Sequence, residues 1–316
     1  MEKQPLIILT GPTAVGKTEL SIKLAKAVDG EIISADSMQI YKYMDIGTAK
    51  IRVGEMQGIK HYLVDELEPD EEFNVTVFQK KAKQAMQEIY SKGKIPILVG
   101  GTGFYIRSVL YDTTFTENED DDTEYRKELY AAAKEHGAGY LHDMLKKVDP
   151  AAAEAIHVNN VKRVARALEY FHQTGECISK HNETESKKES PYNAVYFVLN
   201  NDRKLLYERI DKRVDKMFEE GLVSEVEHLK EMGCNKEMVS MQGIGYKEIF
   251  AYFDGEYDEE TAKYIIKRDT RHFAKRQLTW FKREKEVVWI NYQDYDCSAD
   301  KMLSAMTDII KKRGLV

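Results

Sequence analysis

The chain has 316 residues, 32% of them charged and 42% apolar, with a formal net charge of -7 at pH 7 and three cysteines. That length can bury one large core or two smaller ones, while a mean hydropathy of -0.54 and the lack of any apolar run approaching a bilayer's span argue for a soluble, cytoplasmic protein. Cys177, Cys234 and Cys297 lie far apart with no CxxC pair, which argues against a disulfide framework or a zinc site, and Leu6 to Leu9 is too short for a secretion signal.

Leu6 to Leu9 reads as a buried strand. It is followed by Gly11-Pro12-Thr13-Ala14-Val15-Gly16-Lys17-Thr18 and then by a helical pattern with Leu20, Leu24 and Val28 on one face. Strand, glycine-rich octet and helix in that order are the setting of a phosphate-binding loop. The two glycines let backbone N–H groups turn inward on phosphate oxygens, Lys17 adds a point charge, and Thr18 can offer its hydroxyl to Mg²⁺ at a positive helix end. A glycine turn capping an ordinary helix is the plain alternative.

Glu31 to Ala35 is the second strand, and Asp36 stands at its C-terminal end, the edge where open α/β sheets bind ligands. In a hydrolase such a carboxylate holds Mg²⁺ through water; in a transferase it can take a proton from the nucleophile; it can also merely cap a turn. The third strand, Ile95 to Gly100, runs into Gly101-Thr102-Gly103-Phe104-Tyr105, where glycines would let a second ligand approach the backbone and Thr102 adds a hydroxyl. Strands alternating with helical patterns predict a parallel sheet, to which Ala194 to Leu199 and Val287 to Ile290 add strands.

From residue 112 the strand signal stops. The acidic run Glu117 to Glu124 opens a segment with helical patterns at Thr123 to His136, Ala138 to Lys147 and Asn160 to Thr174, and Asn182 to Ser190 reads as an exposed connector. The expected architecture is therefore an α/β, P-loop NTPase-like core with a parallel sheet flanked by helices (residues 1–111 and 191–316) and an inserted helical domain (residues 112–190).

Beyond the returning strand, Arg203, Arg209 and Arg213 share a helix whose buried stripe is Leu206, Ile210, Val214 and Met217, so at most one or two of them can face a phosphate. Ser240 to Tyr246 joins two helices and could present Gln242, backbone and the Tyr246 ring to an unstacked base, or be only a loop. Lys263 to Lys285 carries nine Lys or Arg against Asp269 and Glu284, interleaved with His272, Phe273, Trp280 and Phe281. In a chain that is acidic overall, this local reversal favours nucleic-acid binding over a merely solvated face. A last helix runs from Ser298 to Lys312, with Gly314 as its stop.

Taken together, Gly11 to Thr18, Asp36-Ser37-Met38-Gln39-Ile40-Tyr41, Met44-Asp45-Ile46-Gly47-Thr48-Ala49-Lys50, Gly100 to Tyr105 and Lys275-Arg276-Gln277-Leu278-Thr279-Trp280-Phe281 closely resemble the bacterial tRNA dimethylallyltransferases, nearly end to end. The eukaryotic relatives carry a C-terminal zinc finger that this chain lacks. The resemblance implies transfer of a dimethylallyl group from dimethylallyl diphosphate to N6 of adenine 37, in the anticodon stem-loop of tRNAs reading codons that begin with U. It implies that Gly11, Thr13, Ala14, Val15, Gly16, Lys17 and Thr18 hold the diphosphate, with Mg²⁺ at Thr18, and that Asp36, Thr102 and Arg213 are catalytic. It places tRNA against Asp36, Ser37, Met38, Gln39, Thr102, Asn159, Asn160, Val161, Lys162, Arg163, Gln242, Gly243, Ile244, Gly245, Tyr246, Arg271, Lys275, Arg276, Gln277, Trp280 and Arg283. A monomer without membrane association is expected. Two rival readings use the same residues: a small-molecule or nucleotide kinase, and a non-catalytic RNA-binding protein that uses the loop as a nucleotide switch.

Overall fold

The computed structural model describes residues 3–115 and 124–316. The chain divides into two compact units, one of residues 1–112 with 190–316 and one of residues 113–189.

The first unit is built on β1 (Pro5–Thr10), α1 (Lys17–Ala27), β2 (Gly30–Ala35), β3 (His61–Tyr62), α2 (Val75–Ser91), β4 (Ile95–Gly100) and α3 (Gly103–Leu110). The second unit holds α4 (Glu124–His136), α5 (Ala138–Val148), α6 (Pro150–Ala155), α7 (Val161–Thr174) and α8 (Ile178–Ser186). The first unit resumes with β5 (Asn193–Asn200), α9 (Arg203–Glu219), α10 (Leu222–Glu231), α11 (Tyr246–Phe253), α12 (Glu259–Phe281), β6 (Val287–Asn291) and α13 (Ala299–Lys312).

The six strands form one parallel sheet in the order β3-β2-β4-β1-β5-β6. Helices cover both faces, so β1 is apolar from Pro5 to Leu9: Leu6 and Ile8 join one core with Phe78, Tyr105 and Phe281, while Ile7 and Leu9 join the other with Leu24, Ile210 and Met306. Register then sets the site. Gly100 pairs with both Thr10 and Ala35, so β1, β4 and β2 end in one row and the turns after them leave side by side. Polar caps begin the long helices: Asn74, Asp202, Asp258 and Ser298 each accept a backbone N–H of the first turn that follows.

Two elements depart from the sequence expectation. β3 is only two residues at the sheet edge, too short for a periodic signal. Part of the expected connector is helical, since α8 reaches Ser186. Asp149, which caps α6, also accepts the Ser179 N–H at 2.9 Å and its hydroxyl at 2.6 Å, pinning the first turn of a polar segment. In the same unit Glu169 is fully buried and paired with Arg126 and Arg166. The acidic residues from Glu117 to Asp122 and the expected helix start at Thr123 lie outside the described residues.

Candidate active site

The phosphate-loop octet forms the turn between β1 and α1. Lys17 lies over its own loop, its Nζ donating to the Gly11 and Pro12 carbonyls at 2.9 Å each. Burial, and secondarily the Arg213 charge, lower its pKa to about 7, with Asp36 opposing. Arg213, from α9, is held below its usual value by burial and then by the Arg209 charge, again with Asp36 opposing. Asp36 therefore sits within electrostatic reach of two cations. Its Oδ1 accepts the Met38 N–H at 2.9 Å, which orients the carboxylate at the end of β2.

Asp36 and Arg213 open on one cavity of about 390 Å³, whose lining does not include Lys17. Its polar lining includes Thr13, Asp36, Thr102, Arg213 and Arg276, and its apolar lining includes Met38, Val214, Met217, Ile244, Ile266 and Phe273. An anion beside an apolar chain is the ligand shape that such a division fits. A second cavity, of about 460 Å³ and lined by more charged residues, contains Thr18 and shares only Ala49, Arg213 and Met217 with the first.

Among the described residues no group of three or more His, Cys, Asp or Glu is placed to hold a metal. The exposed Thr18 hydroxyl in the first turn of α1 fits a hard cation bound chiefly through a ligand's phosphates, the usual habit of Mg²⁺.

Several residues expected at the ligand surface are instead placed to hold the site together. Gln277 is buried: its Oε1 accepts the Thr13 N–H at 2.8 Å and its Nε2 donates to the Gly101 carbonyl at 3.0 Å. A Cβ on Gly101 would overlap that amide, and one on Gly103 would overlap the Trp280 indole. The glycines after β4 thus admit side chains from α12, not the backbone-hugging ligand that the sequence suggested. Tyr246 is 1% exposed and donates to Glu225 at 2.7 Å, so it contributes to the wall of the main cavity while held from behind. The Gln39 amide turns to the Thr48 carbonyl at 3.2 Å, and that of Gln242 to Lys236.

The basic helix is also partly neutralised. Arg271 pairs with Asp211, Lys263 and Lys267 with Asp215, and Arg268 with Asp269. Lys275, Arg276 and Arg283 are exposed, and Arg276 lies 5.8 Å from the Phe273 ring. Ser37, Met38, Gln242, Gly243, Ile244, Gly245 and Tyr246 line the main cavity. Asn159 to Arg163 belongs to the second unit, where Asn160 caps α7 and Lys162 and Arg163 are exposed. Arg209 was one of three candidates on its helix, and only the structure singles it out: it donates to the Val15 carbonyl at 3.2 Å and lies over the Tyr292 ring. No sequence spacing links residues 15, 209 and 292.

The profile of the family described as IPP transferase matches residues 39–284. The chain belongs to the IPP transferase family. Within it, a tRNA dimethylallyltransferase of Lachnoclostridium phytofermentans is 64% identical over 313 residues, 99% of each chain. The crystal structure of a tRNA isopentenylpyrophosphate transferase from Bacillus halodurans matches with a TM-score of 0.74 and 44% identity, over 98% of this chain and 97% of that one. A eukaryotic dimethylallyltransferase acting on tRNA matches with a TM-score of 0.83 and 29% identity, over 98% of this chain and 80% of that one. No helix among the described residues is long and apolar enough to cross a membrane.

Proposed function

We propose that this protein transfers a dimethylallyl group from dimethylallyl diphosphate to N6 of adenine 37 in tRNAs reading codons that begin with U. The observation that carries the reading is the position of Asp36, at the end of β2 on a half-apolar cavity, within electrostatic reach of Lys17 and Arg213. Family membership supports the same reaction.

The adenine amine is a poor nucleophile, because its lone pair is delocalised into the ring, so orientation and proton removal both matter. In the proposed step the bond between N6 and C1 of the prenyl group forms as the bond from C1 to the diphosphate oxygen breaks. The N6 proton passes to the Asp36 carboxylate, and the electron pair leaves with the diphosphate. Lys17, Arg213 and the loop's N–H groups stabilise that departing charge, with Thr102 at the cavity wall. Mg²⁺, held by Thr18 and the diphosphate oxygens, would supply further positive charge. The apolar lining around Met38, Met217 and Ile244 holds the prenyl group and keeps out water, which would otherwise capture the allylic carbon.

The base reaches this cavity only after leaving its stack, a cost of a few kcal/mol that RNA contacts offset. Lys275 and Arg276 on the open side of α12, Arg283 just beyond its end, and, in the second unit, Lys162 and Arg163 are the groups assigned to the tRNA backbone. The protein is assigned to the cytoplasm and acts as a monomer. Mass spectrometry of tRNA incubated with the protein and donor tests the reaction. One adenosine per tRNA gains the mass of a dimethylallyl group in place of a hydrogen; unmodified tRNA refutes the reading.

A further inference from the structure

The segment Met44 to Lys50 carries part of the family resemblance, yet none of its side chains has a place in the reaction above. Its backbone does have one. Gly47, Thr48 and Ala49 line the main cavity, while Asp45, Ile46, Ala49 and Lys50 line the second, so this loop is a wall common to both.

The loop's carbonyls are tied down by its own neighbourhood. Lys50 N–H donates to the Asp45 carbonyl at 2.9 Å, Ala49 N–H to that of Ile46 at 3.0 Å, and the Gln39 amide to that of Thr48 at 3.2 Å. The N–H groups at its start are held differently. Those of Asp45, Ile46 and Gly47 converge on the carboxylate of Glu225 in α10, at 2.9, 2.6 and 3.0 Å. Three consecutive N–H groups turned on one point form an anion-binding nest, and here a side chain of the protein fills it. The Tyr246 hydroxyl donates to the same carboxylate at 2.7 Å, and its ring lies so close to Gly47 that a Cβ there would come within 2.6 Å of it.

We propose that Glu225 is a positioning residue for the prenyl donor: by filling the nest of residues 45–47 it fixes the wall against which the dimethylallyl group packs. Glu225 itself lines neither cavity, so it acts only through the loop. The inference rests on the donor assigned above. It accounts for the Gly47-Thr48-Ala49 stretch as backbone that must be thin and held from behind. Gly47, Thr48 and Ala49 face the apolar cavity while Lys17 lines neither cavity, so Glu225 governs chiefly the prenyl half of the donor.

Glu225→Gln tests this, because it places an NH₂ donor where the nest presents N–H donors. Equilibrium dissociation constants are measured for dimethylallyl diphosphate and for inorganic diphosphate. The expected result is at least a tenfold weaker affinity for dimethylallyl diphosphate, with inorganic diphosphate unchanged within twofold and amide exchange at residues 45–47 accelerated. If Glu225→Gln does not fold, Gly47→Ala, which pushes the loop off the Tyr246 ring, carries the same expectation. Equal weakening of both ligands, or no change in either, overturns the proposal. Failure of the reaction itself is read separately, as wild-type protein that leaves tRNA unmodified.

Discussion

Gln277 on α12 accepts the N–H of Thr13 at 2.8 Å, joining the helix that carries Lys275 and Arg276 to the phosphate loop. Its other end holds the Gly101 carbonyl, so one buried amide fixes the relative positions of the turns after β1 and β4. Gln277→Ala leaves both backbone groups without that partner, at a cost of about 1–3 kcal/mol for each group left unpaired. The expected outcome is a lower thermal midpoint and a raised KM for the donor. Wild-type values for both would remove Gln277 from the construction of the loop.

Asp36→Asn keeps an acceptor for the Met38 N–H and removes the base. Donor and tRNA affinities should stay near wild type while the single-turnover rate falls by about 10²- to 10⁴-fold. An unchanged rate would take proton transfer away from Asp36.

In the ligand-free protein Lys17 is charged below and neutral above about pH 7, whereas in the unfolded chain it stays protonated up to its ordinary 10.5. Between those values the unfolded chain binds more protons, so this lysine's contribution makes the free protein more stable as pH rises through that window. A bound diphosphate favours the ammonium form. Donor binding at pH 8 should therefore take up a proton, and affinity should fall by up to about tenfold per pH unit above the Lys17 pKa. Calorimetry in two buffers of different ionisation enthalpy measures the uptake, and subtracting the result for Lys17→Met removes the ligand's own titration. Equal proton counts in the two proteins would contradict the assignment.

Arg276 is exposed without a carboxylate partner among the described residues, whereas Arg271 is paired with Asp211. Affinity for tRNA should fall steeply with salt. Arg276→Ala should reduce the slope of log K against log salt by about 1. Arg271→Ala should change it less, because Asp211 already balances that charge. Filter binding across a potassium chloride series decides; a salt-independent affinity would mean that α12 grips no phosphates.

Within the second unit, Glu169→Gln leaves Arg126 and Arg166 beside a neutral amide in a buried position. Breaking such a pair costs about 3–5 kcal/mol. Hydrogen exchange on the full chain should show residues 124–186 opening more readily while the sheet remains protected. Unchanged protection there would show that the pair contributes little.

Periodicity and local chemistry made much of this protein legible in one dimension. The buried strands betray themselves as apolar runs, because helices cover both faces of the sheet. The phosphate loop is a continuous stretch whose backbone and side chains act together, and Asp36 follows its strand directly. What could not be read was which residues meet across long separations. The glycines at 101 and 103 suggested open backbone, but they are filled by Gln277 and Trp280 from more than 170 positions away. Tyr246 looked like a surface ring until Glu225 and Gly47 enclosed it. Asn182 to Ser186 lacked an apolar stripe and folds as a helix that Asp149 anchors.

The amino-acid order alone thus determined the layered α/β core, the glycine-rich turn between β1 and α1 and the carboxylate at the end of β2, because each depends on neighbours within a few residues. The tertiary structure alone decided which side chains line the cavity and which brace those that do. That choice rests on strand register, close packing and the pairing of buried polar groups, which bring residues 13, 101 and 277, or 47, 225 and 246, to a single point.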